Sequence, residues 1–119
     1  MTDQKAADIA ALNDLFRSGF FIPSFGPRPV PGRIVCTSGV GSLPPETQIC
    51  ISGQVSRFAS FTEDNDPHGE HDFGAFDADR HRIFFKIDYY DKALACHSPD
   101  PSDPSVTERV ITIMLAEEY

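Results

Sequence analysis

The 119-residue chain has no tryptophan, two methionines and three cysteines. Cys36, Cys50 and Cys96 are unclustered, in a chain long enough to hold itself by packing, so a disulfide framework is not expected. No apolar run approaches about 18 residues, which excludes a transmembrane helix. The opening MTDQKAAD lacks both a basic start and an apolar run, so no secretory signal is expected and the setting reads as cytoplasmic. Basic residues are also scarce: Lys plus Arg is 10 against 18 for Asp plus Glu, a net charge of -8. The length suits one domain, residues 1–119.

The acids are unevenly placed. Residues 63–79 carry seven of them (Glu63, Asp64, Asp66, Glu70, Asp72, Asp77, Asp79) with no Lys or Arg, and the remainder is almost neutral. Nucleic-acid affinity comes from cations that displace counterions from phosphate, so direct DNA or RNA binding is disfavoured. A basic protein partner, a metal cation or plain solubility fit better.

The pattern of the chain predicts an α+β fold: a small antiparallel sheet of about three strands backed by about three helices, in the order α-β-α-β-β-α. Residues 4–17 read as an amphipathic helix capped by Asp3, with Ile9, Leu12 and Phe16 on one face and Gly19 as a stop. Four prolines and three glycines break residues 18–32, whose Phe20, Phe21, Ile22 and Phe25 are expected to pack onto the body. Arg33–Thr37 reads as a strand. Pro44 and Pro45 open a second helix reaching about Phe58. A hairpin is expected over 72–90, with Ile83, Phe85, Ile87 and Tyr89 inward and Phe84, Lys86, Asp88 and Tyr90 outward. Asp103 and Pro104 read as the start of a final helix carrying Val106, Val110, Ile113 and Met114.

At FTEDNDPHGEHDFGAF, FFKIDYYD, DPSDP and RVITIMLAEEY the chain closely resembles an uncharacterised bacterial family, domain of unknown function 3768, from about Leu12 to Tyr119. The resemblance implies a small single-domain protein, largely alphaproteobacterial and often borne on plasmids or other mobile elements. It brings no activity with it. The chain departs from the family's pattern at His68, where Tyr is usual, and at Phe85, where Trp is usual.

Four kinds of chemistry can be weighed against these residues. Asp64, Asp66, Gly69, Glu70 and Asp72 match part of a calcium loop, but Pro67, His68 and Ala75 break it where ligands belong. Asp64, Asp66, His68 and His71 are weak metal candidates, and neither four-ligand spacing nor H-E-x-x-H is present. No metal or other cofactor is therefore expected. Cysteine or serine nucleophile motifs and phosphate-cradling glycine loops are absent. Glu70, His71, Asp72, Lys86, Asp88 and Tyr90 supply the parts of a small hydrolase, with or without a metal. The same groups equally suit a polar network that fastens a loop to the sheet.

The leading expectation is a small, non-enzymatic interaction protein. Its partner would be a basic, nucleic-acid-handling host protein or complex, met through Glu63, Asp64, Asp66, Glu70 and Asp72. Inhibition of the anti-CRISPR or anti-restriction type is the sharpest form. A hydrolase built on Glu70, His71, Asp72, Lys86 and Asp88 is the alternative, and the oligomeric state stays open. Seven acids over 17 extended residues give about one charge per 8 Å, sparse beside the one per about 1.7 Å of duplex DNA. A convincing mimic needs Asp88, Asp91, Asp100 and Asp103 on the same face.

Overall fold

The computed structural model describes residues 4–19 and 30–119. The Asp3 cap and the apolar segment Phe20–Phe25 lie outside the described residues. The strongest period-two pattern becomes the central strand, β3 (His81–Tyr90). Ile83, Phe85, Ile87 and Tyr89 are buried, and their alternates are half-buried or exposed. β2 (Phe73–Ala78) pairs with it antiparallel, with Phe73 opposite Lys86 and Ala78 opposite His81. The turn between them is Asp79–Arg80, both with positive φ (51° and 71°). Such a two-residue turn matches the right-handed twist of the paired strands. Gly74 is required sterically: a Cβ there would stand 2.2 Å from the Phe85 ring.

The last segment corrects the expectation of a helix. Residues Glu108–Leu115 form a strand, β4, paired antiparallel with β3. Val110, Ile111, Thr112 and Ile113 are four consecutive β-branched residues, which crowd a helical turn and suit a pleated sheet. Asp103 caps no helix. Its carboxylate accepts from the Ser105 amide and hydroxyl, at 2.9 and 2.7 Å. Asp100 does the same with Ser102, at 3.1 and 2.6 Å, so DPSDPS is two Asx turns in succession.

β1 (Gly32–Cys36) lies parallel to β4 at the sheet edge. The sheet is thus four-stranded and mixed, in the order β1-β4-β3-β2. Among the described residues three helices accompany it: α1 (Gln4–Ser18), α2 (Ser38–Gly41) and α3 (Pro45–Arg57). The class is α+β, as the sequence implied, with one strand more and one terminal helix fewer. The short α2 fills the interval between β1 and the proline-opened helix. A closing 3-10 turn sends the Glu118 carboxylate back to the Thr37 hydroxyl (2.6 Å) and the Gly39 amide (3.1 Å).

The two faces of the sheet differ. Ile9 and Phe16 of α1, Val40 of α2, and Ile51 and Val55 of α3 pack with Ile83, Phe85, Ile87, Ile111 and Ile113 into one core. Burying such side chains stabilises by about 1.5–3 kcal/mol each relative to exposure. On the other face the rings of Phe73, Phe84 and Tyr119 meet edge to face at 5.2–6.1 Å. Beside them Lys86 pairs with Asp88 at 3.1 Å. No helix covers this face among the described residues. The strand pairing also puts the start of β1, β2 and β4 and the end of β3 at one end of the molecule. The loops 58–72 and 91–107 meet there.

Candidate functional site

Loop 58–72 is built by its own polar side chains. Asn65 accepts from the Thr62 amide and donates to the Ser60 carbonyl, at 2.8 and 2.9 Å. Asp66 is only 7% exposed. Its carboxylate accepts from the backbone amides of Glu70 and His71 at 3.2 Å. These bonds close the bend in which Gly69 and His71 take positive φ, 69° and 57°. Asp66, expected as a partner contact, is thereby turned inward and braces the loop. Glu63 and Asp64 remain exposed, and Glu70 and Asp72 are half-buried.

His71 fastens the loop to α1. Its ring stacks on Phe61 at 4.0 Å and 5°. Nδ1 lies 2.9 and 3.0 Å from the Asp14 oxygens, and Nε2 lies 3.8 Å from Asp66. Asp14 also accepts from Arg17, which is 2% exposed. The Arg17 guanidinium donates to the Val55 and Phe58 carbonyls at 3.0 Å and lies over Phe61 and Phe85.

Behind this clip stands a second network. Arg109 of β4 is fully buried. It donates to Asn13 Oδ1 at 2.7 Å and to the Pro101 carbonyl at 2.6 Å, and its guanidinium stacks over Tyr89. Asn13 in turn donates to the Tyr89 hydroxyl (2.8 Å) and the Glu70 carbonyl (2.9 Å). Burial holds both guanidinium pKa values below their ordinary range and pushes the Tyr89 phenol above its own. These residues hold the two loops; they present no reactive group to solvent.

The set considered for a hydrolase is divided by this arrangement. His71 turns toward α1, and Lys86 pairs with Asp88 on the uncovered side of the sheet. Asp72, Asp88 and Tyr90 do meet. Together with Ile87, Tyr89 and His97 they line a cleft of about 320 Å3, at the small end of ligand pockets (roughly 300–1,000 Å3). It opens where β3 runs past the start of β2. Ile87 N donates to the Asp72 carbonyl, and two residues on the Tyr89 carbonyl accepts instead from Ser98 N. Burial pushes the Asp72 carboxyl above the usual carboxylate range; the hydrogen bond from its own backbone amide and the charge of His68 oppose the rise, and Asp66 and Asp88 add to it. Asp64 and His68 lie outside this cleft, exposed on the loop. Among the described residues no three His, Cys, Asp or Glu side chains converge to hold a metal ion.

The family model for a protein of unknown function (DUF3768) matches residues 36–118. The chain belongs to this family. No curated protein and no solved structure matches. The family match takes in β2, β3, β4, α2, α3 and both loops; α1 and all of β1 but Cys36 lie ahead of it, although Asn13, Asp14 and Arg17 hold the loops.

Asn13, Asp14, Arg17, His97 and Arg109 were missed by sequence reasoning. The signal for Asn13 and Arg17 was modest: polar residues at helical spacing within the same stripe as Ile9 and Phe16, a stripe that Asp14 lies outside. Arg109 sits in an alternating apolar run, which becomes visible only once that run is taken as a strand. His97 carries no local signal, because a bridge between Tyr90 and His97 brings it to the cleft. No described helix is long and apolar enough to cross a membrane.

Proposed function

We propose that this chain is an acidic interaction module that engages a basic protein partner through the end of the molecule where loops 58–72 and 91–107 meet. The observation that carries the reading is the gathering there of acids from separate stretches. Glu63, Asp64, Glu70 and Asp72 come from the first loop, Asp88 from β3, and Asp91, Asp100 and Asp103 from the second. The acids of the second loop were the ones a nucleic-acid mimic required. Asp91 and Asp103 brace turns by accepting backbone amides, and Asp100 also meets Lys5 at 3.4 Å. Those bonds hold their positions and leave negative charge at the surface. Such a field speeds association with basic proteins and rejects acidic ones. A nucleic-acid-handling defence complex, bound in the manner of an anti-CRISPR or anti-restriction inhibitor in the cytoplasm, is the specific form we favour, since the family's resemblance points to mobile elements.

The test compares the wild-type chain with Glu63→Lys/Asp64→Lys, which changes two exposed acids without touching a loop brace. Affinity capture from a host carrying an active restriction or CRISPR system should retain a nucleic-acid-binding protein. The double variant should lose it while melting at the same temperature. Expression of the wild-type chain should raise plasmid transformation of that host. Retention that ignores the two charges, or transformation that does not change, refutes the reading. A small hydrolase is a second reading, favoured by one observation: Asp72, Asp88 and Tyr90 share a cleft with His97. Turnover of p-nitrophenyl esters or phosphates that disappears in Asp72→Asn would replace the first reading by the second.

A further inference from the structure

We infer that the cleft between Asp72 and His97 is a receptor for a single alkylguanidinium group, the arginine side chain of a bound protein. The cation chemistry rests on the cleft alone; the assignment to a protein side chain rests on the interaction reading above. Asp72 is half-buried at the wall, and among the described residues the donor to its carboxylate is its own backbone amide, with no ion pair formed. One local amide leaves most of the lone pairs of a partly desolvated carboxylate unfilled, and a cation with N–H groups relieves that cost. Asp88 stands on the same cleft, and among the described residues its close cation is Lys86, at 3.1 Å along the strand on the uncovered face. Both Lys86 and Asp88 are about two-fifths exposed, so this pair is readily exchanged for a better one.

The remaining walls choose among cations. Tyr90 and His97, both exposed, stand on the cleft, and aromatic rings attract flat organic cations and offer nothing to a hydrated divalent ion. The described residues also lack the three-ligand convergence a metal needs. A guanidinium can donate to a carboxylate in a fork while its plane lies on a ring, so it satisfies both features where an ammonium satisfies one. The cleft opens on the acidic end of the molecule, where a basic protein is steered.

The test uses the whole 15N-labelled chain and amide NMR. The probes are Nα-acetyl-L-arginine methylamide, its neutral citrulline counterpart and free L-arginine. The capped arginine should shift the amides of Asp72, Ile87–Asp91 and Cys96–Ser98 in a saturable way. Citrulline should bind about tenfold more weakly or less, the loss expected when a charged hydrogen bond is removed. Asp88→Asn and Tyr90→Ala should each weaken binding several-fold, and Asp72→Asn by about tenfold, with cooperative melting no lower than wild type showing each variant folded. Glu46→Lys, at an exposed acid on α3, should leave it unchanged. No saturable shift, shifts scattered over remote acids such as Asp8 and Glu46, or equal binding of citrulline overturns the site. Preference for free arginine over the capped form overturns the protein side chain as its occupant. If the probe fails while capture still depends on Glu63 and Asp64, the interaction reading survives without this cleft. If the probe binds and no charge-dependent partner exists, the cation site survives without that reading.

Discussion

The two faces of the sheet handle charge in opposite ways. On the covered face Arg109 and Arg17 are buried and draw their bonds from carbonyls, Asn13 and Asp14. On the uncovered face Lys86 and Asp88 make one ion pair in contact with water. The chemical groups are alike, but their surroundings are not. A buried guanidinium has exchanged water for a fixed set of acceptors, so removing it strands every acceptor at once. An exposed pair exchanges one set of hydrogen bonds for another and contributes little. The covered face therefore uses charge to fix the loops, and the uncovered face leaves it available for other contacts.

Four substitutions break or sharpen this contrast. The largest effect is expected for Arg109→Ala, which strands Asn13 Oδ1 and the Pro101 carbonyl and leaves a cavity. Urea denaturation should show a loss of about 3–5 kcal/mol, from two stranded acceptors at about 1–3 kcal/mol each and the cavity left behind. A loss below 1 kcal/mol would mean that water takes over the role of the guanidinium. Tyr89→Phe removes a single hydrogen bond from the same network, with Asn13 still donating to the Glu70 carbonyl. The expected cost is about 1 kcal/mol.

Asp72→Asn should act in the other direction. The folded carboxyl titrates above its unfolded value because of burial. The folded state therefore holds the proton more firmly, and stability is lost as pH rises from the ordinary carboxylate range through the raised folded value. At neutral pH the asparagine variant should melt slightly above wild type. At pH values below the ordinary carboxylate range, with Asp72 protonated in both states, the difference should vanish. A variant less stable at every pH would contradict the desolvation account. The smallest effect is expected for Lys86→Ala, within about 0.5 kcal/mol by the same denaturation measurement. A larger loss would show that the uncovered face, too, depends on its charge.

The legibility of the fold followed the strength of local pattern. The alternation in 82–90 and the proline-opened helix were plain, because one period dominated each. The final segment was ambiguous: Val106, Val110, Ile113 and Met114 fit a helical spacing, while Arg109, Ile111 and Ile113 fit a strand. Its partners decided the matter, since β4 lies between β3 and β1 and bonds to both. The candidate site was partly legible for a related reason. Glu70, His71, Asp72, Lys86 and Asp88 were found as a group, but a strand sends neighbouring residues to opposite faces. Loop bonds then turned Asp66 and His71 inward. The clustering was visible; the direction of each side chain was not.

By itself the sequence determined the α+β class, the hairpin and its inward row, and the concentration of acids in one stretch, because these follow from local spacing and composition. Tertiary structure alone decided that β1 runs parallel to β4, that two arginines are interior, and that Asp72, Asp88, Tyr90 and His97 share a cleft. Those outcomes depend on contacts between residues far apart in the chain, whose geometry no local period encodes.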